Sequence, residues 1–314
     1  MAQPAQQPQV VMGQYALGAA ASIILHPITY TKVLIQLGHE PLPPMPTTTI
    51  FGRKVLAYPS ALKYLGHIKR REGFLGLYRG LGARLVGGIA GSYVSNQTLL
   101  YFKSLPTPEK EIDEDEEDAL EAFKHVCRET SYEMAARCAG AVVTQPFQVI
   151  MVRSMAQFVG GEDKYNGLFS SILTIYREDG VLGFFAGLVP RIVGEVLTVW
   201  MVNTLMHVME TYLIPKAQAP KGLKAYTSAV CTMLVSQLTY PFTVVSNVMA
   251  VSGSQLAAGN PPNMDNYASW IDCFSSLREQ GHLKRGSSLF WRYYSGPVVL
   301  RHDGKPMPAN KLVL

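Results

Sequence analysis

Five long segments of low charge dominate the sequence and restrict the folds open to it. Each is about 23–29 residues long, enough for a helix to cross a hydrocarbon core of about 30 Å. Only 16% of the whole chain is charged, against about 25% in a typical soluble domain. The pattern predicts an all-α membrane protein whose five transmembrane helices span residues 11–37, 81–103, 131–159, 190–214 and 224–252.

Shorter amphipathic segments lie between the long ones. Residues 59–71 and 167–178 run up to an acidic residue followed by glycine, and residues 266–280 have the same shape. Each of the three predicts a surface helix that ends at the glycine. Residues 109–121 hold nine of the 23 acidic residues, which predicts a solvated loop because like charges repel. Four prolines within residues 41–46 predict an irregular segment.

The chain contains three copies of one pattern: a proline inside a long segment, a surface helix, and a glycine-rich turn. The turn runs from Glu72 to Gly80 in copy one and from Asp179 to Gly187 in copy two. Copy three has a weaker version, in which Gln280-Gly281 is followed after a longer gap by Phe290-Trp291-Arg292. The structural residues of the pattern are Pro27, Gly73, Gly80, Pro146, Gly180, Gly187 and Pro241.

The repeats divide the chain into units at residues 1–108, 122–216 and 217–314, with the acidic loop 109–121 between the first two. The third unit is truncated, because only 22 residues follow Arg292. These residues are rich in glycine, proline and charge, and no apolar span of about 20 residues fits among them. The sequence therefore predicts that residues 293–314 do not cross the membrane and that the bundle lacks a sixth transmembrane helix.

The repeat resembles that of the mitochondrial solute carrier family. The family unit reads P-x-[DE]-x-x-[KR]-x-[KR], then a surface helix, then [DE]-G-x4-[WYF]-[KR]-G. Copy one matches the glycine part fully, and copy two departs from it only at Ala186. The resemblance covers about residues 11–292 and implies a three-repeat helical bundle with pseudo-threefold symmetry around a central axis.

The chain departs from the family at the charged positions that follow each proline. In the family these residues form a ring of salt bridges that closes the transport cavity. Here the acidic positions hold Thr29, Gln148 and Thr243, and the basic positions hold Lys32, Met151 and Ser246. Only Lys32 keeps its charge, so we expect no gate of charge pairs.

The missing gate and the missing helix together are similar to the carrier homologues of the outer mitochondrial membrane, a divergent branch of the family. The stretches Ile175–Glu178, Gly183–Arg191, Leu238–Phe242 and Lys32–Gln36 look like theirs. This resemblance implies an integral outer-membrane protein that inserts tail-anchored and other α-helical membrane proteins. It also implies links to lipid scrambling and, through recruitment of the pro-apoptotic protein Bid, to apoptosis.

Polar side chains form a stripe along most of the long segments. Several stripes together suggest a hydrated cavity at the centre of the bundle. With one helix missing, this cavity would open sideways to lipid as a groove. The candidate groove residues are Lys32, His26, Gln36, Arg84, Gln148, Arg153, Glu195, Asn203, Tyr240, Thr243 and Asn247.

Simpler explanations exist for some of these polar positions. Small residues often pack membrane helices together, and Gly87 with Gly91 forms a GxxxG pair. Arg153 lies late in its helix, where its side chain can snorkel to the interface. Lys32 and Glu195 differ, because a charge near the bilayer centre costs about 2.5–3.5 kcal/mol and needs a partner or water. We expect these two residues to line the cavity.

Other functional classes find little support in the sequence. The four cysteines do not fall at CxxC spacing, so we expect no metal site and no cofactor. No run of five basic residues suggests a nucleic-acid partner, and neither a catalytic triad nor a GxxxxGK[ST] loop indicates an enzyme. A phospholipid scramblase or a receptor for Bid remains an alternative to an insertase. A solute transporter is disfavoured by the missing charge network.

The distribution of positive charge predicts the orientation. Residues 38–80 carry seven Lys and Arg residues, and the tail after the fifth long segment carries seven more. The positive-inside tendency places both, and the C-terminus, in the cytosol. Residues 1–9 contain no Lys or Arg, which argues against a cleaved presequence.

Overall fold

A computed structural model describes residues 8–49, 52–105, 118–213, 223–294, 296, 298–300 and 306–308. Eight α-helices make up most of this part of the chain. The long helices are α1 (Pro8–Gln36), α3 (Leu81–Ser104), α4 (Asp118–Ala156), α6 (Leu188–Val208) and α7 (Leu223–Val251). The short helices are α2 (Ala61–Gly76), α5 (Leu168–Asp179) and α8 (Trp270–Glu279). The predicted all-α fold is confirmed.

Each predicted long segment contains one long helix, and the differences lie at the ends. The largest concerns α4, which begins at Asp118 rather than at residue 131. Most of the predicted acidic loop lies outside the described residues, and its last four residues are helical. At the end of α6 the helix widens to a π-helical turn at Met209–Leu213.

Among the described residues, three segments are long and apolar enough to cross a membrane by length and composition alone: Ala16–Gln36, Leu182–Thr211 and Ala225–Val251. They contain most of α1, α6 and α7. The remaining long helices, α3 and α4, carry more polar side chains. They pack closely against each other, and Gly91 of α3 lies directly against Thr144 and Gly140 of α4. Small residues at this contact let the two backbones approach, as is usual between membrane helices.

The proline-rich segment after α1 is more regular than the sequence predicts. Strand β1 (Met45–Thr48) pairs antiparallel with β2 (Lys54–Ala57), and Met45 lies opposite Ala57. Pro46 fits into β1 because this strand is at the edge of the hairpin, where a missing backbone N–H is tolerated.

The glycine-rich turn of each repeat ends in a glycine with a left-handed backbone: Gly80, Gly187 and Gly286 have φ of +77°, +74° and +77°. Side chains with a Cβ rarely adopt this conformation. The third position corrects the sequence prediction, which placed the third motif at Phe290-Trp291-Arg292. Gly286 did not fit the expected spacing, because Gly281 and Gly286 are five positions apart whereas Gly73 and Gly80 are seven positions apart.

These glycines also join the three repeats into a closed ring. A Cβ at Gly80 would press on the backbone of α4, and one at Gly187 on the backbone of α7. A Cβ at Gly286 would press on the side chains of Tyr240 and Gln36 and would lie in ordinary contact with the backbone of α1. The backbone positions they meet are Met151, Ser246 and Lys32. Each of these residues follows the proline of its repeat by five positions. The pseudo-threefold packing is therefore complete at this end of the bundle, although only five long helices form it.

The chain after Gly286 takes a different course from the first two repeats. Gly80 and Gly187 lead directly into α3 and α6, whereas the described residues after Gly286 form no helix. This segment runs back over the first repeat, where Tyr58 N–H donates to the Arg292 carbonyl at 2.7 Å. Beyond it, β3 (Val298–Leu300) pairs with β4 (Pro306–Pro308) beside the first hairpin.

In the part of the chain that the structure describes, no sixth long helix covers the side between α1 and α7. These two helices meet near Gln36, whose Nε2 donates to the Tyr240 hydroxyl at 2.9 Å. Toward their other ends, the large apolar side chains of Leu17, Ile24 and Leu234 are exposed. A sixth helix of a complete three-repeat bundle would lie between the fifth and the first. The predicted carrier-like bundle without its sixth helix therefore has one unsealed side.

Candidate functional site

A polar cavity of about 400 Å³ lies beside the open side, between α1, α4, α6 and α7. Most of the residues that line it are polar or charged. It contains six of the eleven predicted groove residues: Lys32, Gln148, Glu195, Tyr240, Thr243 and Asn247. Ser236 and Gln237 of α7 add further polar groups, so this face of α7 presents polar groups to the cavity rather than to lipid.

Two further cavities lie along the bundle. One of about 600 Å³ lies between α3, α4 and α6, and it shares Arg191 and Glu195 with the first cavity. The other, of about 670 Å³, contains the predicted groove residue Asn203. Arg191 and Glu195 of α6 therefore stand where the first two cavities meet.

Charged groups in these cavities are only partly neutralised. Glu195 Oε2 lies 4.0 Å from Arg137 Nη1, and Arg137 Nη2 lies 3.7 Å from Glu133 Oε1. Lys32 makes no ion pair with any described residue, and its Nζ lies 5.1 Å from the centre of the Tyr240 ring. A half-buried lysine without a carboxylate partner requires water or an anionic group nearby. The geometry therefore favours a wet cavity.

A chain of neutral hydrogen bonds forms the floor of the first cavity. Gln148 Nε2 donates to Asn247 Oδ1 at 3.0 Å, and Asn247 Nδ2 donates to Gln36 Oε1 at 2.7 Å. Gln36 in turn donates to Tyr240, whose hydroxyl donates to the Arg285 carbonyl at 2.9 Å. The chain joins α4, α7 and α1, one helix from each repeat. Amide groups and one phenol thus connect the three helices that contain the repeat prolines.

The residue before each proline ties its helix to the glycine turn of its own repeat. His26 Nε2 lies 2.8 Å from the Arg79 carbonyl, and Gln145 Nε2 donates to the Ala186 carbonyl at 2.6 Å. In the third repeat, Tyr240 makes the equivalent bond to Arg285. All three carbonyls belong to the residue before the left-handed glycine. The predicted groove residues His26 and Gln36 therefore lie buried at the base of the bundle.

Arg153 lies apart from the three cavities, which corrects its assignment to the groove. Its side chain is 1% exposed, so it does not snorkel to the interface. Arg153 Nη1 lies 2.6 Å from Asp179 Oδ2, and Nε donates to the Ala250 carbonyl at 2.9 Å. The residue binds α4 to α7 and to the second glycine turn. Arg84 lines a crevice between α1 and α3 that shares Gly88 and Ser92 with the second cavity.

The sequence prediction missed three charged residues of the first two cavities, Glu133, Arg137 and Arg191. Arg191 Nη1 donates to Gln145 Oε1 at 2.9 Å, and Nη2 donates to Thr144 Oγ1 at 2.8 Å. A signal for Arg191 exists in the repeat, because an arginine follows both Gly80 and Gly187 by four positions. Arg137 belongs to no repeated motif and has no such signal.

A half-buried histidine outside the membrane-spanning helices makes the fold sensitive to acid. The His39 ring packs edge-on against Phe158, with ring centres 5.9 Å apart. Burial, with smaller contributions from the charges of Arg71 and His67, lowers the pKa of His39 to about 4. An unfolded chain takes up a proton near pH 6.5 at this ring, whereas the folded chain resists protonation. Stability is therefore full above about pH 6.5 and falls toward pH 4.

We expect the thermal unfolding midpoint of the detergent-solubilised protein to fall by several degrees between about pH 7.5 and about pH 5. In His39→Phe, which keeps the aromatic contact and removes the titrating ring, this fall should be smaller. The exposed His125 provides the control, and His125→Phe should behave like the wild type. An equal pH dependence in all three proteins would contradict the assignment to His39.

The sequence matches the family described as mitochondrial carrier protein over residues 7–108 and 123–216. These ranges are the first two repeats.

Individual relatives are consistent with that match. The chain is 44% identical over 288 residues to mitochondrial carrier homolog 2 of Homo sapiens, covering 89% of this chain and 93% of that protein. It is 41% identical over 298 residues to mitochondrial carrier homolog 1 of Mus musculus, covering 89% and 76%. Similarity to solute carrier family 25 member 16 of Mus musculus is lower, at 26% over 248 residues, covering 74% and 67%. The chain therefore belongs to the mitochondrial carrier family, in the divergent branch that contains the mitochondrial carrier homologs.

Proposed function

We propose that this protein is an insertase of the mitochondrial outer membrane that acts on tail-anchored and other α-helical membrane proteins. The observation that supports the proposal most strongly is the polar cavity beside the open side between α1 and α7. A complete bundle would separate such a cavity from lipid. Here Ser236, Tyr240 and Thr243 of α7 line the cavity, while Leu234 and Leu238 of the same helix are exposed on its outer face.

A groove of this kind lowers the barrier for a short hydrophilic terminus to cross the bilayer. Each unpaired polar group in hydrocarbon costs several kcal/mol. A terminus that slides along the groove keeps water and polar side chains on one side, while its apolar segment moves into lipid through the opening. Leu, Ile, Phe and Val each contribute about 0.3–0.6 kcal/mol at the helix centre. Burial of the client's own apolar helix can therefore drive insertion.

The neutral floor of the cavity favours insertion over solute exchange. A transporter must open and close both ends in turn, and charge pairs suit that task because water can replace a broken ion pair at modest cost. Water cannot replace the hydrogen bonds of the buried chain from Gln148 to Tyr240 in this way, because each broken bond leaves a buried polar group unpaired. We propose that this end stays closed and that clients enter from the side.

Reconstitution tests the proposal. Proteoliposomes that contain only this protein should insert a purified tail-anchored reporter, measured by protection of its C-terminal tag from protease. Empty liposomes and liposomes with an unrelated membrane protein are the controls. Exchange of small solutes without reporter insertion would contradict the proposal and favour a carrier.

A phospholipid scramblase is the second candidate, because the same open polar groove could pass a lipid headgroup. The two activities can coexist and are separated in the same proteoliposomes by a dithionite assay with fluorescent lipid. Lipid flipping without reporter insertion would favour the scramblase. We propose the cytosol as the location of the C-terminus, and membrane lipids and tail-anchored clients as the partners.

A further inference from the structure

The third repeat is connected to the first by a different kind of contact from those that connect the other repeats. Two pairs of long helices, α3 with α4 and α6 with α7, pack side by side. α1 and α7 instead meet near Gln36, and from there residues 285–294 run onto the first repeat without forming a helix. We call residues 285–294 the strap.

The start of the strap holds the end of α1 against α7. The Tyr240 hydroxyl of α7 donates to the Arg285 carbonyl at 2.9 Å. Arg285 Nε donates to the carbonyl of Gln36, the last residue of α1. The negative end of the helix dipole favours a cation at this position. Ser287 lines the first cavity, so the strap begins as part of the cavity wall.

The rest of the strap is attached to the first repeat through its backbone. Three N–H groups donate across this contact at 2.7–2.9 Å: Tyr58 to Arg292, Ala61 to Leu289, and Tyr294 to Leu56. Ala57 and Tyr293 also form an antiparallel bridge. The strap therefore extends the edge of the first hairpin, where unpaired backbone groups are ready to accept another strand.

The side chain of Arg292 fixes the strap in place. It forms an ion pair with Glu40, and the two side chains are only 6% and 18% exposed. Its Nη1 also donates to the Pro59 carbonyl at 2.9 Å, and its guanidinium lies 5.5 Å from the centre of the Tyr58 ring. Removing one partner of a buried ion pair leaves the other charge uncompensated. Glu40 follows the end of α1 by four residues, so the pair ties the strap to that end.

The strap and the hydrogen bonds of Gln36 join α1 to α7 at the same end of α1. Ile24 lies 12 residues earlier in α1, which is about 18 Å away along the helix. A small change of angle at the joined end therefore moves the helices apart more strongly beside the opening. The attachment of the strap is in a position to set the width of that opening.

We propose that Arg292, paired with Glu40, is a positioning residue for the opening between α1 and α7. By fixing the strap to the first repeat it sets the angle between the two helices. It thereby limits the size of the hydrophilic terminus that can enter the groove from the side. This size limit rests on the proposed insertase function, whereas the angle is measured in the protein without a client.

The first experiment measures the opening by pulsed electron paramagnetic resonance on the full-length protein in liposomes. Spin labels are placed at positions 24 and 234, where the native Ile24 and Leu234 are 72% and 58% exposed. An encoded azide-bearing amino acid carries each label, so the four native cysteines remain. We expect both Arg292→Gln and Glu40→Gln to lengthen the mean distance between the labels by about 2 Å or more and to broaden its distribution. Glu40→Gln decides the question if Arg292→Gln fails to fold.

Another ion pair between two helices provides the matched control. Lys103 Nζ lies 3.4 Å from Glu129 Oε2, and this pair joins α3 to α4 away from the strap. Lys103→Gln should leave the distance between the labels unchanged.

A reversible disulfide distinguishes positioning from a general loss of structure. Ala57 and Tyr293 face each other across the antiparallel bridge, at a separation that suits a disulfide. In Arg292→Gln, the added changes Ala57→Cys and Tyr293→Cys should restore the wild-type distance when oxidised. The reduced form of the same protein should show the longer distance again.

The second experiment measures the size limit with tail-anchored reporters that have short or long hydrophilic C-terminal tails. We expect Arg292→Gln and Glu40→Gln to raise the ratio of long-tail to short-tail insertion roughly threefold or more. The oxidised disulfide should return the ratio to that of the wild type. A purely structural loss would lower insertion of both reporters and leave their ratio unchanged.

Unchanged distances in both glutamine variants would overturn the proposal, as would longer distances that the oxidised disulfide does not restore. A longer distance with an unchanged insertion ratio would overturn the size limit. If the wild type inserts neither reporter while the distances shift as expected, the insertase proposal fails and the positioning role of Arg292 stands.

Discussion

Replacing Glu195 by arginine is expected to reduce insertion of reporters with lysine in the crossing terminus by about tenfold or more. Glu195 is the carboxylate where the first two cavities meet, and its Oε2 lies 4.0 Å from Arg137 Nη1. The substitution would place a third cation beside Arg137 and Arg191. At about 4 Å, two like charges repel by about 1 kcal/mol in water and by more where water is scarce. Tenfold corresponds to about 1.4 kcal/mol.

The opposite substitution at Lys32 gives the matched comparison. Lys32→Glu removes a cation without an ion-pair partner among the described residues and should improve insertion of the same lysine-flanked reporters. The measurement is the insertion ratio of reporters with and without lysine at the C-terminal end, which cancels changes in protein amount. Glu195→Gln, with no charge, should lie between wild type and Glu195→Arg. Unchanged ratios in all three variants at equal abundance would remove both residues from the client path.

Replacing Gly187 by alanine is expected to have the largest effect on stability, about 3 kcal/mol or more. The φ of Gly187 is +74°, which alone costs an alanine about 1–2 kcal/mol. The new Cβ would also overlap the backbone carbonyl of Ser246, which cannot move without shifting α7. The contact joins the second and third repeats, so relief of the overlap would widen the ring at the base of the cavity.

Gly161 provides a control that separates the cost of the left-handed backbone from the cost of the steric overlap. Its φ is +66°, and nothing lies within 4 Å of where its Cβ would be. Gly161→Ala should therefore show the conformational cost alone, and Gly187→Ala a clearly larger one. Thermal unfolding midpoints in detergent measure the difference, which we expect to be several degrees. Equal midpoints for the two variants would mean that the ring of glycine contacts does not hold the repeats together.

Much of the fold was predictable from the sequence because it depends on regular patterns. Apolar length predicted the five long helices, and the acidic residue followed by glycine predicted the ends of the surface helices near Gly73 and Gly180. The content of the tail predicted the missing sixth helix. These features depend on local composition, which a single sequence displays directly.

Features that depend on the ends of the repeats were harder to predict. The third glycine turn was assigned to the wrong residues, because its spacing is two positions shorter and only its φ and its contact with Lys32 reveal Gly286. The start of α4 was missed because the acidic residues before it predicted a loop. The hairpin of Met45–Ala57 was missed because the prolines in this segment predicted an irregular structure.

Helical periodicity predicted which face of its helix each residue occupies, but it could not predict the hydrogen-bond partners of those residues. It grouped Lys32, Gln148 and Asn247 on cavity-facing stripes, and the cavity contains all three. It could not show that Asn247 joins Gln148 to Gln36, because those partners are far apart in the sequence. Arg153 was wrongly assigned to the groove because helical spacing predicts the face of the helix on which a residue lies. It does not predict whether the cavity extends to that residue's level along the helix. The partner of Arg153, Asp179, belongs to a turn that a stripe does not include.

The most direct test of the central claim is site-specific photo-crosslinking across the open side between α1 and α7. A photoreactive amino acid at Ser236 would project from the cavity wall, and one at the exposed Trp200 of α6 would face lipid away from the cavity. During insertion of a tail-anchored reporter, we expect adducts to the reporter from position 236 and none above background from position 200. Equal adducts at both positions, or none from 236 while insertion proceeds, would contradict a client path through the groove.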